Sequence, residues 1–464
     1  MKKLLAAWIF GLSFVGIASG SLGGRIDGII RQGSQKKVQF SIQIVETESG
    51  KTVYRHNARE AMIPASNMKI ITSAAALKYL GADYEYKTVV GLCGDTLVVA
   101  GAGDPLLGDK TTDDKYGREV GWIFEDIARS LKEKGVRSIK DIIVDSSIFD
   151  DERVHPNWPG EELNRSYACE VSGLNFNGNC IDVTTNNSGG RVAIVVEPDT
   201  DFVKVVNKVT PIQKGKSAVG AYRNEQLNKI IIRGKCRRQA GPFAVAIERP
   251  AAFFGYLLAE HLGRAGIDAT GQLIEKSVPR DCNIKILREY RTSIADCLAR
   301  CNKDSFGLAA ESLVKTMAAE TGQPGRSGSW ATGRELIEQY MLGLGVDRGE
   351  FYIDDGSGLS RQNRLSANAI TKVLLDIYKS RNRKLYKDSL AVGGLDGTIR
   401  RYFKEEEYKG KIFGKTGYID KVKALSGICS GRGGEYIFSI LANNTNGKTR
   451  GAINDIAKAI VDGE

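Results

Sequence analysis

A serine and a lysine lie three residues apart in the stretch PASNMKIITSA, as Ser66 and Lys69. Residues at this spacing share one face of a helix, so their side chains can reach each other. Burial would lower the pKa of the lysine, and a neutral amine can take the proton of a serine hydroxyl and make it a nucleophile. The chain has three histidines, none of them in a matching pattern, so this lysine is the candidate base.

The Ser-x-x-Lys spacing is a weak signal, because roughly two matches are expected by chance in a chain of this size. The chain contains the pairs Ser34/Lys37, Ser66/Lys69 and Ser312/Lys315. Of these serines, Ser66 follows a helix-start signal, Pro64-Ala65, at the head of an apolar helix. From this stretch alone a structural interpretation stays open, with Ser66 as a helix cap and Lys69 as a surface cation.

A second motif, Lys415-Thr416-Gly417, occurs once, on a strand predicted to begin the last sheet. A cation beside a hydroxyl can hold a carboxylate, and glycine lets a substrate approach the backbone closely. A serine that transfers acyl groups from carboxylate-ended substrates needs such a subsite. By itself, however, the motif is better explained as a strand that ends in a glycine turn.

Hydrophobic periodicity predicts the elements that position these motifs. Residues 38–44 alternate apolar and polar side chains and predict a half-buried strand, and residues 52–54 predict a second one. A helix is predicted from Ser66 to about Leu80. After Phe413 the pattern is strand, turn, strand and a terminal helix over residues 451–461, whose isoleucines lie on one face.

The middle of the chain, residues 84–242, has a different texture. Short β-rich segments alternate with Gly, Asp and Asn turns, and one helix is predicted near residues 120–134. The β-rich segments are Leu97–Ala100, Ile142–Val144, Arg191–Val196 and Lys229–Ile232. Helical periodicity resumes at residues 250–266, 305–319 and 334–344. The order predicts an α/β (α+β) domain interrupted by a large β-rich insertion.

The first twenty residues have the pattern of a signal peptide. Lys2 and Lys3 precede an apolar run to Ile17, and small residues follow at Ala18–Gly20. The run is shorter than a membrane span of about 20 residues, although an uncleaved anchor remains an alternative. We expect an exported protein, periplasmic or extracellular and associated with the cell wall.

The net charge narrows the range of expected binding partners, whereas the cysteines leave the disulfide pairing open. The formal charge is +11, or +9 without Lys2 and Lys3, and it suits an anionic wall or membrane surface. The basic clusters lack interleaved aromatic residues, so we expect no nucleic acid and at most peripheral membrane contact. Eight cysteines allow 105 pairings, which leaves the disulfides open. No metal-binding spacing occurs, and no metal or cofactor is expected.

Taken together, the motifs and longer segments resemble the class C low-molecular-weight penicillin-binding proteins, the D-alanyl-D-alanine carboxypeptidase/endopeptidases of the S13 peptidase family. The similarity covers nearly the entire chain after residue 20. The segments that carry it include FSIQIVETESGKTVYRHNAREAMIPASNMKIITSAAAL, IIVDSSIFDDERVHPNWPGEELNRSYACEVSGLNFNGNCIDV, DDGSGLSRQNRLSA and GKTGYIDKVKALSGI.

The resemblance implies a fold and its boundaries. A penicillin-binding transpeptidase-like domain, an antiparallel sheet flanked by helices, would comprise residues 21–83 and 243–464. The inserted β-rich part would comprise residues 84–242, and residues 1–20 would be the signal peptide.

The resemblance also implies roles for individual residues. Ser66 would attack the carbonyl between two D-alanines, with Lys69 as general base and Ser305 helping to move a proton to the leaving amine. Lys415 and Thr416 would hold the terminal carboxylate beside Gly417, and backbone N–H groups of Ser66 and Tyr418 would form the oxyanion hole. The implied partners are peptidoglycan peptides, with β-lactams as covalent inhibitors.

One position departs from the family pattern. The middle motif is usually Ser-x-Asn, whereas this chain has Ser305-Phe306-Gly307. The missing amide would normally contact the substrate and Lys69, so we expect slower catalysis, with Asn302 or a water filling the gap and Gly307→Asn raising acylation. The literal Ser366-Ala367-Asn368 is interpreted as a helix cap. Two alternatives stay open: a catalytically weak wall-binding homologue, and a β-lactamase or esterase using the same site.

Overall fold

The structure is a computed structural model that describes residues 21–279, 281–322 and 325–463. The predicted signal peptide, residues 1–20, lies outside the described residues. Within those ranges, no helix has both the length and the apolar character that crossing a membrane requires.

The described residues form eleven α-helices and twenty-one β-strands. The α-helices of the described ranges are α1 (Leu22–Ile30), α2 (Met68–Leu80), α3 (Lys110–Lys115), α4 (Trp122–Glu133), α5 (Pro250–Arg264), α6 (Ile294–Lys303), α7 (Gly307–Thr321), α8 (Trp330–Gly343), α9 (Ala367–Lys379), α10 (Arg383–Ser389) and α11 (Thr449–Asp462). The strands are β1 (Gln39–Glu46), β2 (Thr52–His56), β3 (Glu85–Cys93), β4 (Thr96–Ala100), β5 (Ser138–Ile139), β6 (Ile142–Asp145), β7 (Cys180–Ser188), β8 (Arg191–Glu197), β9 (Lys204–Pro211), β10 (Ala218–Arg223), β11 (Lys229–Cys236), β12 (Gln239–Ala246), β13 (Asp268–Ala269), β14 (Leu273–Glu275), β15 (Lys285–Ser293), β16 (Phe351–Tyr352), β17 (Arg364–Leu365), β18 (Ala391–Val392), β19 (Ile412–Ile419), β20 (Val422–Gly431) and β21 (Gly434–Asn443).

A six-stranded antiparallel sheet joins the two ends of the chain. Its order is β18-β19-β20-β21-β1-β2, so β1 from the N-terminal part pairs directly with β21 from the C-terminal part. Helices α1 and α11 pack on one face, and α2, α7 and α9 belong to the core on the other face. The predicted fold class, a helix-flanked antiparallel sheet with an insertion, is confirmed.

Strand β1 differs from the sequence prediction of a half-buried strand. Its polar residues Ser41 and Gln43 are buried along with its apolar ones. Helix α9 covers the polar face, where Ser41 Oγ accepts a hydrogen bond from the Ala367 N–H and Gln43 Nε2 donates to Asn368. Because these polar groups find partners on a helix, the strand can lie in the middle of the sheet with both faces covered.

The inserted unit contains several smaller sheets around a core of its own. A five-stranded sheet has the order β14-β6-β4-β3-β15, and two three-stranded sheets have the orders β12-β7-β8 and β10-β11-β9. Helices α4 and α5 contribute buried phenylalanines to this core. Each of the four β segments predicted here is present, within β4, β6, β8 and β11.

The insertion ends later than residue 242, where the sequence analysis placed its boundary. Helix α5, assigned to the second part of the main domain, packs into the inserted core, and β15 pairs along the length of β3. A disulfide between Cys93 and Cys282 links the same two regions. The strand pairing therefore extends the inserted unit to Ser293. The sequence did not predict this, because the periodicity of a helix does not show which core the helix joins.

Candidate active site

Ser66 lies in a 3-10 turn, Ala65–Asn67, directly before α2. Ala65 has φ 46°, a left-handed conformation that is costly for a residue with a Cβ. Gly358 packs against this turn so closely that a Cβ there would lie 1.9 Å from the Ala65 carbonyl oxygen. The turn is thus held from outside, and it presents the serine at the start of the predicted helix.

Lys69 is buried one turn into the same element, as the spacing predicts. Its Nζ lies 3.2 Å from Ser66 Oγ and donates a 2.8 Å hydrogen bond to the Ser357 carbonyl oxygen. Burial lowers the pKa of Lys69, while nearby Glu311 and other acidic groups partly oppose the shift. A buried amine with a lowered pKa, in contact with a hydroxyl, can act as a base toward it.

The other two Ser-x-x-Lys pairs lack this contact in the described part of the chain. The Ser34 hydroxyl accepts a hydrogen bond from Gln35. Ser312 Oγ is buried without a hydrogen-bond partner, and Lys315 donates instead to Asp150 Oδ1 at 2.6 Å. Of the three Ser-x-x-Lys pairs, Ser66 and Lys69 are therefore the pair whose serine hydroxyl and lysine amine are in contact among the described residues.

A second lysine and a second serine face the first pair. Lys415 is completely buried on β19, and its Nζ donates a 2.8 Å hydrogen bond to Ser305 Oγ. Burial first, and then the charge of Lys69, lowers the pKa of Lys415 well below its usual value. Ser305 has φ 63°, so the residue that meets this lysine is also held in a strained backbone conformation.

Strand β19 places the remaining predicted residues at the edge of the site. Thr416 Oγ1 is 2.9 Å from Thr398 Oγ1, and a Cβ on Gly417 would lie 2.7 Å from the Pro64 carbonyl oxygen. Tyr418, which is 70% exposed, stands at the rim. Only glycine allows β19 to approach the turn that carries Ser66 this closely.

Arg450 was missed by the sequence analysis. Its guanidinium is half-buried behind β19 and donates to the Gly417 carbonyl at 3.1 Å and to the Ala424 carbonyl at 3.2 Å. Burial lowers its pKa, but arginine stays charged in proteins. It adds a fixed positive charge behind the Lys-Thr-Gly strand, and no local sequence motif marks it as part of the site.

Four of the predicted site residues, Ser66, Lys69, Ser305 and Tyr418, line one cleft of about 460 Å³. Lys415, Thr416 and Gly417 are not among its lining residues. Its walls are formed by Ser66, Lys69, Glu162, Tyr167, Asp304, Ser305, Gly307, Ser357, Gly358, Leu359, Tyr418, Ile419 and Asp420. Glu162 and Tyr167 come from the inserted unit, between β6 and β7. The insertion therefore contributes one wall of the cleft, in addition to the main domain.

Comparison with known proteins assigns the chain to a family. The model of the D-Ala-D-Ala carboxypeptidase 3 (S13) family matches residues 22–462. The chain belongs to this S13 family. It is accordingly a serine peptidase, a hydrolase, as the resemblance in its sequence predicted.

Relatives of this S13 chain span most of its length. A D-alanyl-D-alanine carboxypeptidase from Actinomadura sp. (strain R39) is 29% identical, covering 93% of this chain and 82% of the relative. The D-alanyl-D-alanine carboxypeptidase DacB of Haemophilus influenzae is 23% identical over 82% of this chain and 80% of its own. The crystal structure of penicillin-binding protein 4 (dacB) from Haemophilus influenzae aligns with a TM-score of 0.79 at 20% identity, over 93% and 98% of the two chains.

Gly307, where the resemblance implies an asparagine, is closely packed. A Cβ at this position would lie 2.9 Å from the Tyr167 carbonyl oxygen, so any side chain would push against the backbone of the inserted unit. The expectation from the sequence was that Gly307→Asn raises acylation; this contact instead predicts that the variant is overpacked. Glycine fits because the loop before β7 occupies the space of the missing side chain.

Asn302 does not replace the missing amide either. It is fully buried, and its Nδ2 donates to Ser73 Oγ at 3.2 Å and to Ser389 Oγ at 2.9 Å. The second partner of Lys69 is instead the Ser357 carbonyl, in the Asp355–Gly358 loop. A backbone carbonyl leaves no residue-type signal, so the sequence alone does not reveal this contact.

Two buried carboxylates hold that loop in place. Glu311 accepts hydrogen bonds from the N–H groups of Gly356 and Ser357, at 2.9 and 2.7 Å, and from Trp330 Nε1. Asp355 accepts from the N–H of Gly358 at 2.7 Å. Burial and the charge of Asp355 raise the pKa of Glu311. Charge-assisted hydrogen bonds to Glu311 and Asp355 thus fix the loop and orient the Ser357 carbonyl toward Lys69.

None of the three histidines is among the residues that line the cleft. His155 is buried, with Nε2 2.9 Å from the Asp354 carbonyl oxygen, and His261 contacts the Leu257 carbonyl in α5. His56 is half-exposed and lies beside Asn57. Ser366 caps α9 by accepting from the Ala369 N–H, which agrees with the predicted capping role of the literal Ser-x-Asn.

Proposed function

We propose that this S13 chain is a D-Ala-D-Ala carboxypeptidase/endopeptidase that hydrolyses peptidoglycan stem peptides through an acyl-enzyme on Ser66. The observation that carries the proposal is the buried Lys69 amine, 3.2 Å from the Ser66 hydroxyl and without a histidine in the cleft. The S13 match and the carboxypeptidase names of its relatives support the same reaction.

The reaction begins with proton transfer from Ser66 to the neutral Lys69 amine. The seryl oxygen attacks the carbonyl between the last two D-alanines, and the N–H groups of Ser66 and Tyr418 receive the developing oxyanion. Lys69 stays oriented during the transfer, because its Nζ donates to the Ser357 carbonyl at 2.8 Å. Gly307 stands where the resemblance implies an asparagine, so the side-chain amide that would contact the substrate and Lys69 is missing. We therefore propose that the peptidase is slow.

Lys415 and Thr416 hold the carboxylate of the terminal D-alanine. A carboxylate beside Lys415 raises the pKa that burial has lowered, because an opposite charge favours the protonated amine. Substrate binding therefore brings a proton to Lys415, whose Nζ lies 2.8 Å from Ser305 Oγ. Ser305 can pass a proton from this side to the leaving amine, after which water hydrolyses the acyl-enzyme.

β-Lactams follow the same path to the acyl stage and stop there. Their ring amide presents a carbonyl to Ser66 and a carboxylate to Lys415, and the opened ring stays attached to the serine. A solved structure of the Haemophilus influenzae penicillin-binding protein 4 is complexed with a β-lactam. We propose that β-lactams acylate Ser66 in this cleft.

Export to the periplasm or the extracellular space is part of the proposal. The signal-peptide pattern of residues 1–20 supports it, and so does the disulfide between Cys93 and Cys282. Disulfides persist in oxidising compartments and are rare in the cytosol. Peptidoglycan is also found outside the cytoplasmic membrane.

The test is release of D-alanine from a pentapeptide that ends in D-Ala-D-Ala. The parent is expected to release D-alanine slowly, and Ser66→Ala is expected to release none. Ser34→Ala, which changes the serine of another Ser-x-x-Lys pair, is the matched control and should keep the parent rate. Absence of release and of penicillin acylation by the parent would replace this proposal by the wall-binding alternative. Rapid β-lactam turnover without D-alanine release would favour the β-lactamase alternative.

A further inference from the structure

The positive charge of this protein is concentrated in one segment of the inserted unit. Residues 202–242 contain ten lysines and arginines and one acidic residue, which gives a formal charge of +9. The formal +11 of the chain includes Lys2 and Lys3, so residues 21–464 together carry +9. Outside this one segment, the charges of residues 21–464 therefore balance.

The segment folds into the three-stranded sheet β10-β11-β9. One face, including Ile230 and Ile232, packs into the core of the inserted unit. Side chains on a strand alternate between the two faces. The opposite face, here named the basic sheet face, carries Lys204, Lys208, Lys229, Arg233 and Lys235.

Strand register places these cations directly beside one another. Lys204 pairs with Lys229, and Lys208 pairs with Arg233, in the parallel register of β9 and β11. Like charges on adjacent strands destabilise a sheet. In the described residues none of the five cations forms an ion pair; Arg233 stacks on the Tyr222 ring at 3.8 Å. The protein itself therefore does not neutralise this array.

An apolar row crosses the same face between the two basic pairs. Val206, Ile231 and Tyr222 occupy matching positions on the three strands. Tyr222 is 42% exposed, and Leu227, in the turn that joins β10 to β11, is 57% exposed. The face thus combines unpaired cations with a row of apolar side chains in which Val206 and Ile231 are half-buried and Tyr222 is exposed.

We propose that the basic sheet face docks on the anionic phospholipid surface of a membrane. Lysines and arginines near such a surface are attracted by lipid phosphates, and tyrosine and aliphatic side chains enter the boundary between headgroups and acyl chains. A soluble polyanion would neutralise the cations but would leave the apolar row in water. The row between the cations is therefore what favours lipid.

Docking at this face would also position the peptidase cleft. Asn164 Nδ2 donates to the Ala221 carbonyl of β10, on the sheet that carries the face. The chain continues from Asn164 to Tyr167, which lines the cleft. The basic sheet face is therefore tied through one short segment to a wall of the site, although its binding does not depend on the peptidase reaction.

Three variants of the full chain test the proposal. Lys208→Gln/Arg233→Gln/Lys235→Gln removes three charges from the basic sheet face. The matched control, Lys132→Gln/Lys134→Gln/Lys140→Gln, removes three exposed charges elsewhere in the inserted unit. Val206→Thr/Ile231→Thr keeps β-branched residues in the strands and makes the apolar row polar. Thermal unfolding of each variant confirms that it folds.

Binding is measured by sedimentation with phosphatidylglycerol/phosphatidylcholine vesicles and, separately, with soluble polyphosphate. The parent should bind the anionic vesicles, and added salt should weaken binding. The face variant should lose about 100-fold in vesicle affinity, at roughly fivefold per cation, while the control should lose far less. The apolar-row variant should weaken vesicle binding and leave polyphosphate binding unchanged. No vesicle binding by the parent, or equal losses in the face and control variants, would overturn the proposal. An apolar-row variant that binds vesicles like the parent would instead assign the face to soluble polyanions.

Discussion

Glu311→Gln is expected to impair acylation although residue 311 does not line the cleft. The carboxylate accepts N–H groups of Gly356 and Ser357 and the indole N–H of Trp330. A carboxamide has one oxygen acceptor, and its nitrogen donates. In the variant, at least one of these buried N–H groups therefore faces another donor.

The size of the effect follows from the hydrogen bond that is lost. A hydrogen bond to a charged group contributes about 1.5–3 kcal/mol, and an unsatisfied buried donor costs a similar amount. If the Ser357 N–H, 2.7 Å from the carboxylate, loses its partner, the loop moves and the Lys69 amine loses its 2.8 Å carbonyl contact. We expect the free energy of unfolding to fall by about 2 kcal/mol, and the acylation rate to fall roughly 10- to 150-fold.

The assay is the rate of labelling by a fluorescent penicillin, with urea unfolding measured in parallel. Glu350→Gln is the matched control, because Glu350 is also buried and accepts hydrogen bonds, from Ser366 and Asn368. It should lower stability and leave the acylation rate close to that of the parent. Parent-like acylation by Glu311→Gln, with parent-like stability, would refute the support assigned to this carboxylate.

Three further outcomes are expected. Lys69→Arg should abolish penicillin labelling, because a guanidinium keeps its proton; labelling by this variant would require another base. Labelling of the parent should fall as the pH drops through the lowered pKa of Lys69, because the protonated amine cannot accept the serine proton. Gly307→Asn should lower the free energy of unfolding by about 1–3 kcal/mol, because its side chain overpacks against the Tyr167 carbonyl, and it should label more slowly than the parent. Faster labelling would contradict the packing argument. Burial raises the pKa of Asp113 to about 6, so the folded state loses stability as the pH rises from the ordinary aspartate range up to that value, and the loss is complete above it. Asp113→Asn, which can still accept from Trp122 Nε1, should therefore be about 1–3 kcal/mol more stable than the parent at pH 8 and similar at pH 4, as measured by urea unfolding; equal stability at both pH values would contradict this.

Local sequence patterns predicted the pieces of the site well. Ser66 and Lys69 meet because their spacing matches the helix period, and the Lys415 strand lies beside them because glycine at 417 permits the approach. These features depend on residue type and short spacing, which a single sequence displays.

Features made by long-range packing were not predicted. The assignment of α5 to the inserted core depends on which apolar surfaces meet, and its periodicity is the same in either domain. The Ser357 carbonyl and Arg450 reach the site from distant parts of the chain, 288 residues from Lys69 and 33 residues from Gly417. The clash that Tyr167 imposes at Gly307 likewise arises from the inserted unit.

Mass spectrometry can locate the acyl group and so test directly whether Ser66 is the nucleophile. The parent protein is incubated with penicillin, digested, and its peptides are compared with those of an untreated sample. We expect one penicilloyl adduct, on the peptide that contains Ser66, and its loss in Ser66→Ala. An adduct on Ser305 or on any other residue, or an unmodified parent under conditions that acylate a known penicillin-binding protein, would contradict it.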